Sequence, residues 1–209
     1  LALWDRRDRR LHLVRDRLGI KPLYVAAAGG GAAGFGYAAA AGAGSPGTLL
    51  FASELKGLRE HPGFSPEIRR DVLPLYLRYN YIPSPHSIYE GVRKVMPGTY
   101  LTVDAQSWNG DLDSLVETSY WSARETAVRG AADPLDLSDE EAVDMLEETL
   151  SRAVSDRLVS DVPLGAFLSG GVDSSTVVAL MQEAVDRPVK TFSIGFAEEQ
   201  FDESRYASE

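Results

Sequence analysis

A run of small, hydroxyl-bearing and acidic residues between positions 162 and 176 is the part of this sequence best suited to chemistry. It reads VPLGAFLSGGVDSST, so an apolar stretch meets a Ser-Gly-Gly turn, and an aspartate and two serines follow. Glycine lets the backbone approach an anion closely, and the N–H groups and dipole of a helix N-terminus favour negative charge. This order predicts a strand that ends in a phosphate-binding loop. Because Asp173 is acidic and the loop lacks a lysine, we expect a divalent cation to bridge the carboxylate and a polyphosphate.

The residues after the loop predict a helix and a second strand. A helix over 174–186 would have one apolar face, made of Val177, Val178, Met181 and Val185. Pro188 would end that helix, and residues 189–196 are typical of a strand. Together these elements form a βαβ unit, which is expected to be right-handed and parallel. Ligands of such sheets lie beyond the carboxyl ends of the strands, where this loop falls.

The first half of the chain has the alternation of β-strands. Residues 1–5 and 11–14 predict a hairpin whose charged turn, 6–10, is solvated. A charged bend then leads into a third strand, and residues 49–58 predict a strand followed by a short helix. Between them, residues 26–48 are almost entirely Ala, Gly and Ser, which predicts an elongated, mobile hairpin loop.

A helix with a marked start is predicted after position 137. Ser138 and Glu141 have the spacing of a capping box. The apolar positions recur at helical spacing and are Val143, Leu146, Leu150, Val154 and Leu158. The acidic face of this helix is interpreted as a solvated surface.

Composition narrows the function classes. The chain has 209 residues and a net charge of −10, which argues against the basic face that nucleic-acid binding requires. It has no cysteine, so disulfides, thiolate metal sites and a thiol nucleophile are excluded within it. No apolar stretch is long enough to span a membrane, and no signal peptide is evident. We therefore expect a soluble, cytoplasmic protein that binds neither membranes nor nucleic acid.

Several motifs together carry a family resemblance. SGGVDSS, at 169–175, resembles the pyrophosphate-binding loop of the ATP pyrophosphatases, which cut ATP between its α- and β-phosphates. RDRLGIKPLY and FASELKGL, at 15–24 and 51–58, resemble the C-terminal half of a class II glutamine amidotransferase domain. The segment 79–101 and the pair Tyr120-Trp121 are similar to the same family. The chain is thereby identified as resembling asparagine synthetases of the glutamine-hydrolysing type.

The resemblance implies a fold of mixed α/β and α+β class. Residues 1–121 would be the C-terminal part of an αββα class II amidotransferase sandwich, and 122–137 a linker. Residues 138–209 would begin the ATP-pyrophosphatase domain with the first βαβ of a parallel-sheet, adenine-nucleotide α-hydrolase-like (Rossmann-like) fold.

The resemblance also implies the chemistry. The small-molecule substrates would be aspartate, glutamine and ATP, with Mg²⁺ as cofactor, and the aspartate carboxylate would be activated as an aspartyl adenylate. The pyrophosphate would be cradled by the N–H groups of Gly170 and Gly171 and by hydroxyls, namely those of Ser169, Ser174 and Ser175. Asp173 would bind Mg²⁺, with helix N-capping as the alternative. Leu168 and Ile194 would line the adenine and ribose, with a role in the core as the alternative.

The family's glutaminase uses an N-terminal cysteine, which would lie upstream of Leu1. We therefore expect no catalytic residue within this chain and no glutaminase activity from it alone. A homodimer is a further family expectation.

Other interpretations stay open at this point. A β-lactam-forming or other amide-forming synthetase has the same architecture. A different ATP pyrophosphatase, such as a nucleotide or arginine-pathway ligase, would share the loop but not the first half. A regulatory or structural module could keep the loop as a non-enzymatic nucleotide-binding site.

Overall fold

The computed structural model describes residues 1–29, 47–198 and 202–207. The chain divides into two compact units, Leu1–Asp133 and Pro134–Glu209. We refer to them as the first and the second unit.

The first unit contains seven strands in two antiparallel sheets. In chain order they are β1 (Ala2–Asp5), β2 (Arg10–Val14), β3 (Tyr24–Ala28), β4 (Thr48–Ala52), β5 (Val92–Lys94), β6 (Thr99–Asp104) and β7 (Glu117–Ser119). The strand order is β1-β2-β6-β7 in one sheet and β4-β3-β5 in the other. The predicted hairpin at the start of the chain is confirmed, because β1 pairs antiparallel with β2.

The two sheets share one apolar core. Leu13 of β2 lies directly opposite Leu101 of β6 in the first sheet, and both are fully buried. Val25 of β3 joins them from the second sheet, together with Leu23 and Val95. Alternating residues of a strand point to one face, so the side chains on these two faces meet.

Helices cover another part of the second sheet. They are α1 (Leu55–Arg59), α2 (Leu73–Tyr79) and α3 (Ala123–Ala132). Leu58 of α1 packs with Ala26, Val92 and Phe64 in a second apolar cluster. The predicted strand and short helix at 49–58 are confirmed as β4 and α1.

The second unit contains one parallel strand pair and three helices. In chain order the elements are α4 (Asp139–Ser155), β8 (Gly165–Phe167), α5 (Val172–Glu183), β9 (Lys190–Phe192) and α6 (Ser204–Ala207). β8 pairs parallel with β9, and α5 lies between them in sequence. The capping box of α4 is confirmed, with Ser138 as its N-cap.

Three sequence-based boundaries differ from the structure. The strand expected over 189–196 is limited to Lys190–Phe192, because its partner β8 has only three residues. The helix expected over 174–186 spans Val172–Glu183. Part of the loop expected over 26–48 is strand, since Ala26–Ala28 and Thr48 pair in β3 and β4; residues 30–46 lie outside the described residues.

The segment expected as a linker, 122–137, contains the ten residues of α3. Within the described parts of the chain, no helix has the length and apolarity needed to cross a membrane. The mixture of helices with antiparallel sheets agrees with the predicted fold class at the level of α and β content.

Candidate functional site

The loop between β8 and α5 is anchored at both strand ends. The Leu168 N–H donates to the Phe192 carbonyl oxygen at 2.9 Å, and thus continues the parallel pairing by one residue. The Ser193 hydroxyl donates to the Leu168 carbonyl oxygen at 2.7 Å. The start of the loop is therefore held against the end of β9, where the carboxyl ends of the two parallel strands meet.

Two serine hydroxyls shape the loop from within. The Ser169 and Ser174 hydroxyl oxygens are 2.9 Å apart, and the Ser169 N–H donates to the Ser174 oxygen at 3.2 Å. The Gly171 N–H lies 3.4 Å from the Ser169 hydroxyl oxygen, and the Ser174 hydroxyl donates to the Gly171 carbonyl at 3.2 Å. These contacts give the backbone a fixed turn before any ligand is considered.

Gly170 requires glycine for two reasons. Its φ is +75°, a left-handed conformation in which other residues are strained. A Cβ built on Gly170 would also lie 2.3 Å from the Cβ of Tyr206 and 2.6 Å from its carbonyl oxygen. The backbone of α6 thus approaches the loop at a distance that only glycine permits.

The N-terminus of α5 follows the loop directly. Its N-cap is Gly171, which has an extended backbone (φ −78°, ψ 161°) and offers no side-chain cap. The first N–H groups of a helix have no intrahelical acceptor, and the helix dipole adds positive potential there. The end of α5 therefore presents unpaired donors beside the hydroxyls of Ser169 and Ser174.

Asp173 lies in the first turn of α5 and is exposed. The N-capping role considered for it is wrong, because Gly171 occupies the cap position. Within the described residues its carboxylate accepts no hydrogen bond and forms no ion pair. An unpaired carboxylate at a donor-rich helix end is unusual as a structural element and is available to a cation.

The remaining predicted residues lie close in sequence to the same loop. Leu168 is half-buried, and the Ser175 N–H donates to the Gly171 carbonyl oxygen at 3.0 Å. Ile194 follows β9 and is 60% exposed, so it has no core role among the described residues. Sequence reasoning missed Ser193 and Tyr206, which hold the loop from the β9 side and from α6. Ser193 lies directly after β9, so its position beyond a predicted strand was the available signal.

A preformed metal centre is not a feature of the described residues. They contain no group of three or more His, Asp or Glu side chains that could hold a metal ion. Mg²⁺ is commonly bound by one or two carboxylates together with substrate phosphates, so a single carboxylate such as Asp173 fits that mode.

Comparison with known proteins places the fold and the loop in a family. The model of the glutamine amidotransferase domain matches residues 1–121, and the model described as asparagine synthase matches residues 145–209. The first match covers more than half of the chain. This chain therefore belongs to the glutamine amidotransferase domain family, joined here to the start of an asparagine synthase domain.

Its relatives narrow the family further. The putative asparagine synthetase [glutamine-hydrolyzing] 2 of Methanocaldococcus jannaschii is 34% identical over 208 residues, which is 98% of this chain and 35% of that protein. The putative asparagine synthetase [glutamine-hydrolyzing] of Mycobacterium tuberculosis strain H37Rv is 34% identical over 206 residues, 97% of this chain and 27% of that protein. Asparagine synthetase [glutamine-hydrolyzing] 1 of Bacillus subtilis is 29% identical over 207 residues, 99% and 28% respectively.

These matches confirm the resemblance to glutamine-hydrolysing asparagine synthetases. The chain spans about a third of the length of the curated relatives it matches, or less.

Proposed function

We propose that this chain is part of an ATP-dependent synthetase that makes asparagine from aspartate, with ammonia released from glutamine. The observation that carries the proposal is the anchored loop of residues 168–175, where free donors, two hydroxyls and the unpaired Asp173 carboxylate converge at the N-terminus of α5. The match of residues 145–209 to asparagine synthase supports it. In this assignment residues 1–121 belong to the glutaminase part, 122–137 link the parts, and 138–209 begin the synthetase part.

The proposal includes the finer fold. The first unit would be the C-terminal part of an αββα sandwich, and the parallel β8–β9 pair would be the first of a Rossmann-like sheet. The shared core of the two antiparallel sheets and the parallel pairing of β8 with β9 both support this assignment.

The chemistry follows from the properties of a carboxylate. An amine does not displace an oxygen from a carboxylate until that oxygen becomes a good leaving group. The β-carboxylate of aspartate attacks the α-phosphorus of ATP, and the bond to pyrophosphate breaks. Ammonia then attacks the acyl carbon of the β-aspartyl adenylate, and AMP leaves with the electron pair to give asparagine.

The residues of the loop would stabilise the departing pyrophosphate. The N–H groups of Gly170 and Gly171 and the hydroxyls of Ser169, Ser174 and Ser175 would donate to its oxygens, since preorganised donors act where charge develops. Leu168 and Ile194 would contact the adenine and ribose. Asp173 would hold Mg²⁺, which supplies charge stabilisation to the phosphates when bound.

A glutaminase nucleophile has no counterpart among these residues, because the chain has no cysteine. The expectation that the chain alone has no glutaminase activity therefore stays a prediction. A homodimer, a cytoplasmic location and the absence of nucleic-acid partners are likewise part of the proposal.

The test is ATP–pyrophosphate exchange on the full-length protein, with aspartate as the acceptor acid. Asp173→Ala should lower the exchange rate at least about a hundredfold, because it removes a charged group at the reacting phosphates. Glu183→Ala is the matched control, since Glu183 is an exposed carboxylate in the last turn of the same helix. It should leave the rate unchanged.

The outcomes separate the alternatives. Exchange that depends on aspartate and on Asp173 supports the proposal. Exchange with a different carboxylic acid would keep the adenylation chemistry and make the protein another amide-forming synthetase. No exchange with any acid would favour a non-enzymatic nucleotide-binding module.

A further inference from the structure

The first unit contains a buried cation whose charge is not compensated. The Arg15 side chain is 7% exposed. Its guanidinium donates to the Ser84 hydroxyl, to the Val95 carbonyl and to the Gly19 carbonyl, at 2.9, 2.6 and 3.0 Å. All three acceptors are neutral. The Arg15 Nε is buried and has no hydrogen-bond partner within the described residues.

A second cation lies close to Arg15. The Lys94 Nζ is half-buried, 5.6 Å from the centre of the Tyr24 ring, and donates to the Ile82 carbonyl. Burial and the neighbouring Arg15 charge both lower the pKa of Lys94. Neither Arg15 nor Lys94 forms an ion pair in the described parts of the chain, where the ion pairs involve Arg10, Lys56 and Arg69. Buried charges are normally paired, so two close cations without a carboxylate are a signal that a negative group binds here.

A cavity of about 280 Å³ adjoins Arg15. Its wall combines charged and polar side chains with apolar ones, among them Arg15, Asp16, Lys21, Ser53, Val14 and Leu23. Pockets for drug-sized ligands start at about 300 Å³, so this cavity suits a smaller molecule. All of its lining residues lie in well-separated segments that β2, β3 and β4 bring together.

The chemistry of the wall selects the class of ligand. Arg15 and Lys21 favour an anion, and the planar guanidinium matches a carboxylate well. The Asp16 carboxylate is fixed by the N–H groups of Ile20 and Lys21, at 2.8 and 3.2 Å, so its negative charge stays in the wall. That charge disfavours a phosphate, which carries more than one negative charge, and attracts an ammonium group. Val14 and Leu23 add an apolar surface for a short aliphatic side chain.

We infer that this cavity binds a small α-amino acid as its zwitterion, with the carboxylate toward Arg15 and Lys21 and the ammonium toward Asp16. This site lies in the first unit and its residues are separate from the loop of residues 168–175. The inference does not depend on the proposed synthetase reaction, because binding requires neither ATP nor turnover.

The test is a titration of the 209-residue chain, followed by ligand-observed NMR, with L-alanine and two analogues that each lack one charge. Propionate has no ammonium group and L-alaninamide has no carboxylate. L-Alanine should bind, and each analogue should bind about tenfold more weakly, since each loses one charge-assisted contact. Inorganic phosphate should not compete with L-alanine.

Variants locate the binding. Lys21→Ala should weaken L-alanine binding about tenfold, because it removes one of the two cations of the wall while leaving an exposed position free of strain. Asp16→Asn should weaken L-alanine but not propionate. Lys56→Ala is the control, since Lys56 is an exposed lysine paired with Glu54 and does not line the cavity.

The contrary results are equally concrete. Absence of L-alanine binding by the unmodified chain would overturn the inference, as would equal affinity of the unmodified and Lys21→Ala chains. Competition by phosphate would overturn the zwitterion assignment. None of these results depends on ATP–pyrophosphate exchange, so a failure here and a failure of the proposed function can be told apart.

Discussion

The two units of this chain differ in what holds them together. Among the described residues, twelve of the buried apolar side chains belong to the first unit, whereas the second unit has only Leu180 and Met181. The second unit instead exposes large apolar side chains along its strands and helices, including Phe167, Phe192 and Leu146. The first unit therefore has a closed core, while the second is held by backbone pairing, helix caps and the hydroxyl contacts of its loop.

The units also differ in charge. Residues 1–133 contain 16 Lys and Arg against 14 Asp and Glu, a net charge of +2. Residues 134–209 contain 5 against 17, a net charge of −12, and together the units give the −10 of the chain. An anionic ligand that reaches the second unit must therefore be attracted locally. The donors at the start of α5 and a bound cation are the features that supply this attraction.

The largest expected contrast comes from deleting apolar side chains. Leu101→Ala removes a fully buried side chain of the core shared by both sheets and should lower the free energy of unfolding by about 2–5 kcal/mol. Leu146→Ala removes a side chain that is 57% exposed and should cost less than about 0.5 kcal/mol. Urea unfolding followed by tryptophan fluorescence measures the first effect, because Trp4, Trp108 and Trp121 all lie in the first unit. Equal effects of the two substitutions would contradict the contrast in packing.

Two glycines with similar backbone angles sharpen the comparison. Gly98 and Gly170 have φ of +68° and +75°, and an added Cβ would lie 2.2 Å from the Trp121 carbonyl oxygen and 2.3 Å from the Tyr206 Cβ. Gly98→Ala should lower the stability of the first unit by about 1–3 kcal/mol, as strain and a clash are added. Gly170→Ala should leave the tryptophan-detected transition unchanged and weaken ATP binding, measured by isothermal titration. A Gly170→Ala chain that binds ATP normally would show that the close approach of α6 is not needed.

The smallest expected effect is a dependence of α4 on pH. The Glu141 carboxylate accepts hydrogen bonds from the N–H and the hydroxyl of Ser138, at 2.8 and 2.9 Å, and these lower the pKa of Glu141. A carboxyl group with a lower pKa in the folded state contributes stability above its unfolded pKa of about 4.3, and this contribution is lost as the pH falls through the folded pKa. The helical circular dichroism signal should therefore decrease below about pH 4.3. Glu141→Gln should reduce this decrease, whereas Glu147→Gln on the same helix should not.

Local sequence signals predicted much of this architecture. The β1–β2 hairpin, the capping box of α4 and the order of strand, loop and helix around Gly171 depend on residues close together in sequence. Their short-range patterns of polarity and turn residues determine them. The site residues proposed from Leu168 to Ser175 lie in the loop or the first turn of α5 for the same reason.

The rest depends on contacts that a linear pattern does not contain. The pairing of β3 with β5 joins residues about 70 positions apart, and the short length of β9 is determined by its partner β8. The burial of Arg15 was not predicted, because RDRLGIKPLY reads as a charged surface bend. Its guanidinium is enclosed by Ser84 and Val95, which arrive from another part of the chain. The approach of Tyr206 to Gly170 is of the same kind.

The pairing of β2 with β6 has a consequence for synthesis on the ribosome. His12 of β2 contacts Thr102 of β6 across 90 residues of sequence. At about 5–20 residues per second, the β1–β2 hairpin waits roughly 5–20 seconds before its central partner strand is made. During that interval one edge of β2 is open, and unpaired strand edges are sites of aggregation. Slower translation or a lower temperature during expression lengthens or moderates this exposure, so the yield of folded protein should depend on translation rate more than on final stability.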